Sequence, residues 1–282
     1  MLLKEIDKPF NNKDYIFEIK FDGIRAIIYA NKKLLKIYSR NGKDITHLYP
    51  ELQTIKNIVN KNTIFDGEIV LFKNNLPSFK TLLERNNVKS ESKIKYYQNN
   101  EPVTFMCFDI LYEGRDLITL PLLERKKNLN KYKDTDHFSK TIFIEEKGIN
   151  IFKEITKLNL EGIVAKKKDS LYEIGIRTDS WLKIKNFKEE EFFIGGYKIN
   201  KNNLSLYLVE LKNNKLIYVG KVALDKKYKL AKEIMNSKKI KNSLFKGNIN
   251  EEIVYIKPKY KIKIKYLEKT ENNQLRQPVV SL

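Results

Sequence analysis

The run Glu18-Ile19-Lys20-Phe21-Asp22-Gly23-Ile24-Arg25 places a lysine on a β-patterned segment, follows it with a tight Asp-Gly turn and returns an arginine toward the same face. An Asp-Gly pair between β-patterned runs is a tight-turn signal. The pattern recurs. Tyr15, Phe17 and Ile19 alternate with other side chains, and residues 26–38 form two β-rich runs split by Asn31-Lys32-Lys33, a hairpin signal. Residues 63–72 read as a strand containing Asp66-Gly67, residues 102–112 as an apolar and therefore central strand, and residues 163–165 and 181–184 as further strands. Leu52, Ile55, Ile58 and Val59 keep helical spacing, a short helix follows Pro77 through Phe79, Leu82 and Leu83, and residues 122–129 and 151–158 are helical. Residues 86–101 are polar and irregular and read as a surface loop. The prediction is an α+β arrangement of antiparallel sheets and helices, without βαβ alternation. G-x-G-x-x-G and G-x-x-x-x-G-K-[ST] runs are absent, which argues against Rossmann and P-loop nucleotide sites.

The texture changes near Asn186, where Lys188-Glu189-Glu190-Glu191 forms a charged joint. Short strands follow at 192–197, 204–211, 216–222, 253–257 and 261–267, with one helix at 228–236. Five or so strands and one helix in fewer than a hundred residues predict a small closed or partly closed β-barrel of the OB type. The domain boundary is expected near 187, giving domains 1–187 and 188–282.

Charge narrows the partners. Lys+Arg 55 against Asp+Glu 35 leaves +20, which favours a polyanion, nucleic acid before an anionic membrane. Richness in Lys, Asn and Ile together also reflects biased composition, so part of this charge is solvated surface. Lys257, Lys259, Lys261, Lys263 and Lys265 alternate with apolar and aromatic side chains, giving one basic face suited to duplex phosphates, or a solvated amphipathic strand. The single cysteine, Cys107, lies in an apolar run and cannot form an intrachain disulfide, which fits a reducing compartment. The N-terminus lacks a signal-peptide core, and no window approaches the roughly 20 apolar residues of a membrane span. The expectation is a soluble cytoplasmic protein. Two histidines in separate polar settings make a His/Cys zinc site or a Ser-His-Asp triad a poor fit.

Taken singly, the remaining signals are weak; their order is specific. Lys20-Phe-Asp22-Gly23-Ile-Arg25 is followed by Ser39-Arg40-Asn41-Gly42, Phe65-Asp66-Gly67-Glu68, Phe105-Met-Cys-Phe108-Asp109, Glu161-Gly162-Ile-Val-Ala-Lys166 and Trp181-Leu-Lys183-Ile-Lys185. This series resembles the covalent nucleotidyltransferases, and more closely the ATP-dependent DNA ligases. Leu120-Pro121-Leu122-Leu123-Glu124-Arg125, Glu191-Phe192-Phe193-Ile194-Gly195-Gly196-Tyr197 and Leu275-Arg276-Gln277-Pro278 look like the ligase module of bacterial ligase D, the end-joining enzyme. The likeness covers essentially the whole chain and implies an adenylation domain followed by an OB-fold domain.

By that resemblance Lys20 attacks the α-phosphate of ATP and carries AMP through a P–N bond. A lysine beside other cations gives up its proton more readily. Lys183 and Lys185, two apart on a strand and so on one face, match residues that hold the α-phosphate. Glu68 matches the ribose carboxylate, with Asp66 supporting it, and Phe108 matches the ring that stacks on adenine; alternation sends Cys107 and Phe108 to opposite faces. Glu161 matches the metal carboxylate, with Glu68 as a second candidate ligand for Mg²⁺ or Mn²⁺. Glu18 matches a position at the adenine edge, and equally reads as an exposed strand residue. Arg25 matches a contact to the nucleotide sugar and Arg40 one to a nick 5′-phosphate. Arg177 is a further phosphate candidate, or a surface charge. Trp181 shares the lysines' face and reads as mainly structural.

The implied activity is ATP-dependent sealing of nicks in duplex DNA through lysyl-AMP and a DNA-adenylate, in double-strand break repair. The implied setting is a monomer in bacterial cytoplasm at the nucleoid, with a Ku-type end-binding protein and a separate repair polymerase as partners. An RNA ligase or an RNA-capping guanylyltransferase shares the Lys-x-Asp-Gly core, and a non-catalytic nick-binding module is the reading from another class. One departure bears on ATP loading. The family's final Arg-x-Asp-Lys element has no counterpart here, leaving substitution by Arg276 and nearby lysines, a slow first step, or an incomplete chain as the alternatives.

Overall fold

The computed structural model describes residues 1–247, 249 and 251–281. They fall into two compact units, Met1–Asn186 and Phe187–Leu282. In chain order the first unit carries β1 (Leu2–Glu5), β2 (Asn12–Ile19), β3 (Ile24–Ala30), β4 (Leu35–Ser39), β5 (Thr63–Lys73), β6 (Leu76–Pro77), α1 (Phe79–Asn86), α2 (Glu91–Asn100), β7 (Val103–Glu113), α3 (Leu122–Leu129), β8 (Phe138–Lys140), β9 (Phe143–Glu146), α4 (Gly148–Lys157), β10 (Gly162–Lys167) and β11 (Arg177–Lys185). One sheet has the order β1-β11-β10-β2-β9 and the other β4-β3-β5-β7-β8, with β6 hairpinned onto β5. Pairing is antiparallel except at β1·β11 and β7·β8, which are parallel.

Alternation along the strands gives each sheet two different faces. On the first sheet Phe17, Ile163, Ala165, Leu182 and Ile184 pack outward against Ile151 and Ile155 of α4. On the second, Ala26, Ile28, Phe65, Phe105 and Cys107 pack outward against Leu82 of α1 and against Leu52 and Ile55. Leu52 and Ile55 lie on Pro50–Ile58, which winds as a 3-10 helix rather than an α-helix. The opposite faces meet each other: Ile16 and Trp181 from one sheet close on Leu111, Ile27, Ile64 and Phe108 from the other.

Two register shifts shape that meeting. Between β5 and β7, Asp66 pairs with Asp109 but Gly67 pairs with Cys107, so Phe108 is an extra residue; a second shift makes Leu111 extra. Such bulges re-aim side chains and occur beside functional sites. Both extra residues point to the inter-sheet face, while Cys107 goes to the outer core. Beside the first bulge Asp109 is fully buried and receives a bidentate pair from Arg125 of α3, at 2.8 and 2.9 Å. Arg125 also donates to the Leu120 and Ser170 carbonyls, which ties the loop after β10 to α3.

The expected surface loop at 86–101 is corrected. Residues Glu91–Asn100 form α2, which buries no residue and starts at Ser90, whose hydroxyl accepts from the Lys93 N–H. Its packing is confined to half-buried Ile94 against the core and Tyr97 beside Arg85, too short an apolar stripe for periodicity to detect.

The second unit contains β12 (Lys188–Ile199), β13 (Asn203–Lys212), β14 (Lys215–Asp225), α5 (Lys229–Met235), β15 (Lys239–Ile240), β16 (Phe245–Lys246), β17 (Val254–Ile256), β18 (Lys261–Tyr266) and β19 (Val279–Val280). Eight strands thus stand where about five were expected, because pairing defines two-residue strands too short to leave a pattern. The order is β15-β17-β12-β13-β14-β16, with β18 also on β12 and β19 on β18. Among the described residues this sheet does not close on itself. Its core includes Ile194, Leu206, Leu208, Val219 and Ile264, with Ala231 and Ile234 of α5. No helix among the described residues is long and apolar enough to cross a membrane.

Removing one partner of a buried ion pair leaves the other uncompensated. Arg125→Ala is therefore expected to destabilise the first unit by about 3–5 kcal/mol, whereas replacing both partners with apolar residues of similar volume recovers much of that loss. Denaturant unfolding of the two variants checks the contrast.

Candidate functional site

Lys20 directly follows the last residue of β2, where its N–H donates to the Gly162 carbonyl at 2.9 Å. Gly162 has φ +151°, and a β-carbon there would sit 2.1 Å from the Ile184 carbonyl oxygen. Only glycine lets the chain pass this close, and that passage sets Glu161 beside the lysine. Lys20 Nζ donates to Glu161 Oε2 at 2.6 Å, with the Glu161 side chain only 5% exposed. Gly23 makes the second close approach. A β-carbon there would lie 2.3 Å from the Ile69 carbonyl oxygen and 2.8 Å from Glu68 Cγ, so the Asp-Gly turn packs against β5 and brings Glu68 toward Lys20.

Lys20, Glu68, Glu18, Arg25, Phe108 and Lys166 all line one cleft between the two sheets, together with Trp181 and Thr141. Its cavity volume is about 70 Å³, smaller than the ~300–1,000 Å³ of a site that encloses a drug-sized ligand. Phe108 and Trp181 meet edge to face with centroids 6.0 Å apart. Lys166 Nζ lies 4.3 Å from the Phe108 centroid and 4.2 Å from that of Trp181. Glu18 is buried, not an exposed strand carboxylate, and is held by Lys166 at 2.8 Å and by Lys126 of α3. Burial by itself would raise the Glu18 pKa; the two ammonium groups outweigh it and hold the carboxyl below its usual range. Burial lowers the Lys166 pKa to about 8, against the opposing pull of Glu18. Arg25 grips Asp66 with Nε and Nη2 at 3.1 and 2.8 Å, and the Tyr172 hydroxyl donates to the same carboxylate at 2.6 Å. Glu68 has no comparable compensation. Burial, assisted by the Glu161 and Asp66 charges, pushes its pKa up to about 8 against Lys20 and Arg25.

The other expected residues are placed differently. Lys183 and Lys185 stand on β11 on the same side as Trp181, but neither lines the cleft wall; both ammonium groups meet Glu5 of β1, at 3.0 and 3.1 Å. Arg40 is exposed and borders a separate hollow that it shares with Arg25, Ser39 and Tyr172. Arg177 is exposed and donates to the Leu3 carbonyl, outside the cleft. In the second unit Lys261 and Lys263 do alternate with buried Ile262 and Ile264, yet each faces a glutamate of β12, Glu191 at 3.9 Å and Glu189 at 3.2 Å. Three participants escaped the sequence reading. Lys166 was visible as the same-face partner of Val164 on a strand; Lys126 and Glu5 carry no local signal, since only tertiary packing brings them to Glu18 and to the two lysines.

Residues 2–185 match the family model for the ATP dependent DNA ligase domain. The SPbeta prophage-derived DNA ligase-like protein LigB of Bacillus subtilis is 35% identical over 203 residues, 70% of either protein. The multifunctional non-homologous end joining protein LigD of Mycolicibacterium smegmatis is 28% identical over 283 residues, 95% of this chain but 36% of that protein. The chain thus spans about a third of that LigD relative. The crystal structure of the ligase domain from M. tuberculosis LigD aligns with 99% of this chain and 92% of its own, with TM-score 0.58 and 25% identity. A mycobacterial DNA ligase D complexed with ATP and MES aligns with TM-score 0.55 and 25% identity, over 99% of this chain and 93% of its own.

The raised Glu68 pKa makes stability depend on pH. Between pH 4.5 and about 8 the folded protein keeps the Glu68 proton and the unfolded chain has lost it. Unfolding then releases a proton, so this residue's contribution to stability falls as pH rises through that window. Glu68→Gln is expected to flatten the decline: its melting temperature relative to the parent should climb steadily from pH 5 to pH 8.5 in a thermal scan series.

Proposed function

We infer nick sealing from one premise: this chain belongs to the ATP-dependent DNA ligase family. The observation that carries the mechanism is the Lys20 amine, 2.6 Å from Glu161, at an aromatic cleft lined by Phe108 and Trp181. In this reading adenine enters between the sheets with its face toward Phe108, where Lys166 and Arg25 already lie over the ring, with Glu18 in the cleft lining for the base edge and Glu68 toward the ribose hydroxyls. Arg25 borders the same cleft on the sugar side. Lys20 Nζ attacks the α-phosphorus, a P–N bond forms and the P–O bond to pyrophosphate breaks. The adenylate then passes to a 5′-phosphate at a nick, held by Arg40. The 3′-hydroxyl attacks that phosphate, and AMP leaves. Each displacement depends on positioning and on charge neutralisation at phosphate oxygens, the part assigned to Lys183 and Lys185.

A divalent cation fits the residues present in one way only. Among the described residues no three His, Cys, Asp or Glu side chains gather as a cage. Glu161 and Glu68 are near enough for one charge to raise the other's pKa. Two carboxylates completed by phosphate oxygens and water suit Mg²⁺ or Mn²⁺. The ion, when bound, supplies neutralisation of phosphate charge.

The antiparallel core and single helix of the second unit support an OB-type domain that closes on duplex phosphates. LigD relatives named for non-homologous end joining support a place in double-strand break repair, beside a Ku-type protein and a separate polymerase.

Two outcomes are expected. Lys20→Ala should take up no label from α-labelled ATP under conditions where the parent labels and GTP does not, and the parent should seal nicks with ATP and Mg²⁺ or Mn²⁺ on 3′-deoxy or 3′-ribo ends. Persistent labelling of Lys20→Ala would remove the nucleophile assignment. Phe108→Ala should raise the KM for ATP in self-labelling by about three- to tenfold, the range for one lost aromatic contact.

A further inference from the structure

The two lysines assigned to the α-phosphate already hold an anion from their own chain. Lys183 Nζ and Lys185 Nζ approach the same Glu5 oxygen, Oε2, at 3.0 and 3.1 Å. Strand register explains the meeting. Glu5 of β1 is the parallel partner of Lys183, and Lys185 is the next residue of β11 on that face. Lys183 is in turn the antiparallel partner of Val164, which lines the cleft, and Val164 pairs with Glu18, which lines it too. Glu5 therefore stands on the nucleotide-facing side of the sheet, at the end of a row that runs Glu18, Val164, Lys183, Glu5.

Its setting differs from that of the buried anions of the cleft. Glu18 is 2% exposed and locked between two lysines, whereas the Glu5 side chain is 40% exposed and lies on an edge strand. A carboxylate with water on one side gives up an ion pair at small loss, because solvent replaces the partner. A phosphate arriving at Lys183 and Lys185 meets both an attraction to the lysines and repulsion from Glu5.

We propose that Glu5 is an internal competitor for the nucleotide phosphate: its carboxylate holds Lys183 and Lys185 outside the cleft lining when no nucleotide is bound, and the α-phosphate displaces it on binding. Glu5 thereby sets the affinity of the site for phosphate without touching the base. This rests on the nucleotide-binding reading of the cleft given above.

The test uses Trp181, the only tryptophan of the chain and a cleft residue, as the fluorescent reporter. The probes are the α,β-methylene analogue of ATP, whose bridging carbon blocks transfer to Lys20, and adenosine, which has no phosphate. Glu5→Gln keeps the shape and removes the charge. It is expected to bind the analogue about two- to fivefold tighter than the parent, as the loss of one competing, half-exposed charge permits. Adenosine affinity should stay the same, and the KM for ATP in self-labelling should fall while the maximal rate holds. Unchanged or weaker analogue binding overturns the proposal, as does an adenosine affinity that moves in parallel, which would make Glu5 a structural residue. A parent protein that neither binds the analogue nor labels with ATP would instead overturn the ligase reading on which the proposal stands.

Discussion

Charge has to be buried wherever two sheets meet face to face over a cleft that handles an anionic ligand, and every such charge needs a partner. Three buried carboxylates of the first unit obey this constraint. Asp66 is gripped by Arg25 and Tyr172, Asp109 by Arg125, and Glu18 by Lys126 and Lys166. An unpaired carboxylate at any of these depths would lose its solvation with nothing in return. The partners come from strands, helices and loops far apart in sequence, so pairing also sets where those elements sit. Arg125 joins α3 to the bulge that exposes Phe108, and Lys166 is caught between Phe108 and Trp181.

Satisfaction is uneven. The paired groups are buried, which fixes their side-chain geometry. Two other carboxylates are less completely matched. Glu68, itself buried, lacks a matched cation and is driven toward its protonated form, and Glu5 shares two lysines on a half-exposed edge. Perturbed and partly matched groups of this kind mark functional sites.

The second unit distributes charge differently. Its alternating lysines form the expected exposed row on β18, but glutamates of β12 stand across from two of them. The row is therefore a mixed surface and not an uninterrupted cationic stripe, and phosphate recognition there has to displace or bypass those carboxylates.

Much of the fold was legible because the chain writes its strands as period-two alternation and its turns as Gly and Asn. Local alternation put Lys183 and Lys185 on one face and sent Phe108 and Cys107 to opposite faces, while Lys20, Glu68 and Glu161 were singled out by the ordered motifs that carry the family resemblance. It failed at α2, which sets only half-buried Ile94 and Tyr97 against the rest of the unit, and at the two-residue strands of the second unit, which exist only through pairing. It also failed wherever a site residue depends on a partner more than a hundred positions away. Glu18 read equally as an adenine-edge contact or as an exposed strand carboxylate, and only Lys166 and α3 showed it buried; Glu5 carried no signal before β1 aligned with β11. The amino-acid order by itself determined which side chains lie on which face, because backbone geometry imposes that period locally. Which faces meet, how deeply each charge is buried and which cation answers it were decided only by tertiary packing, because desolvation and Coulomb energy depend on distance in space and not along the chain.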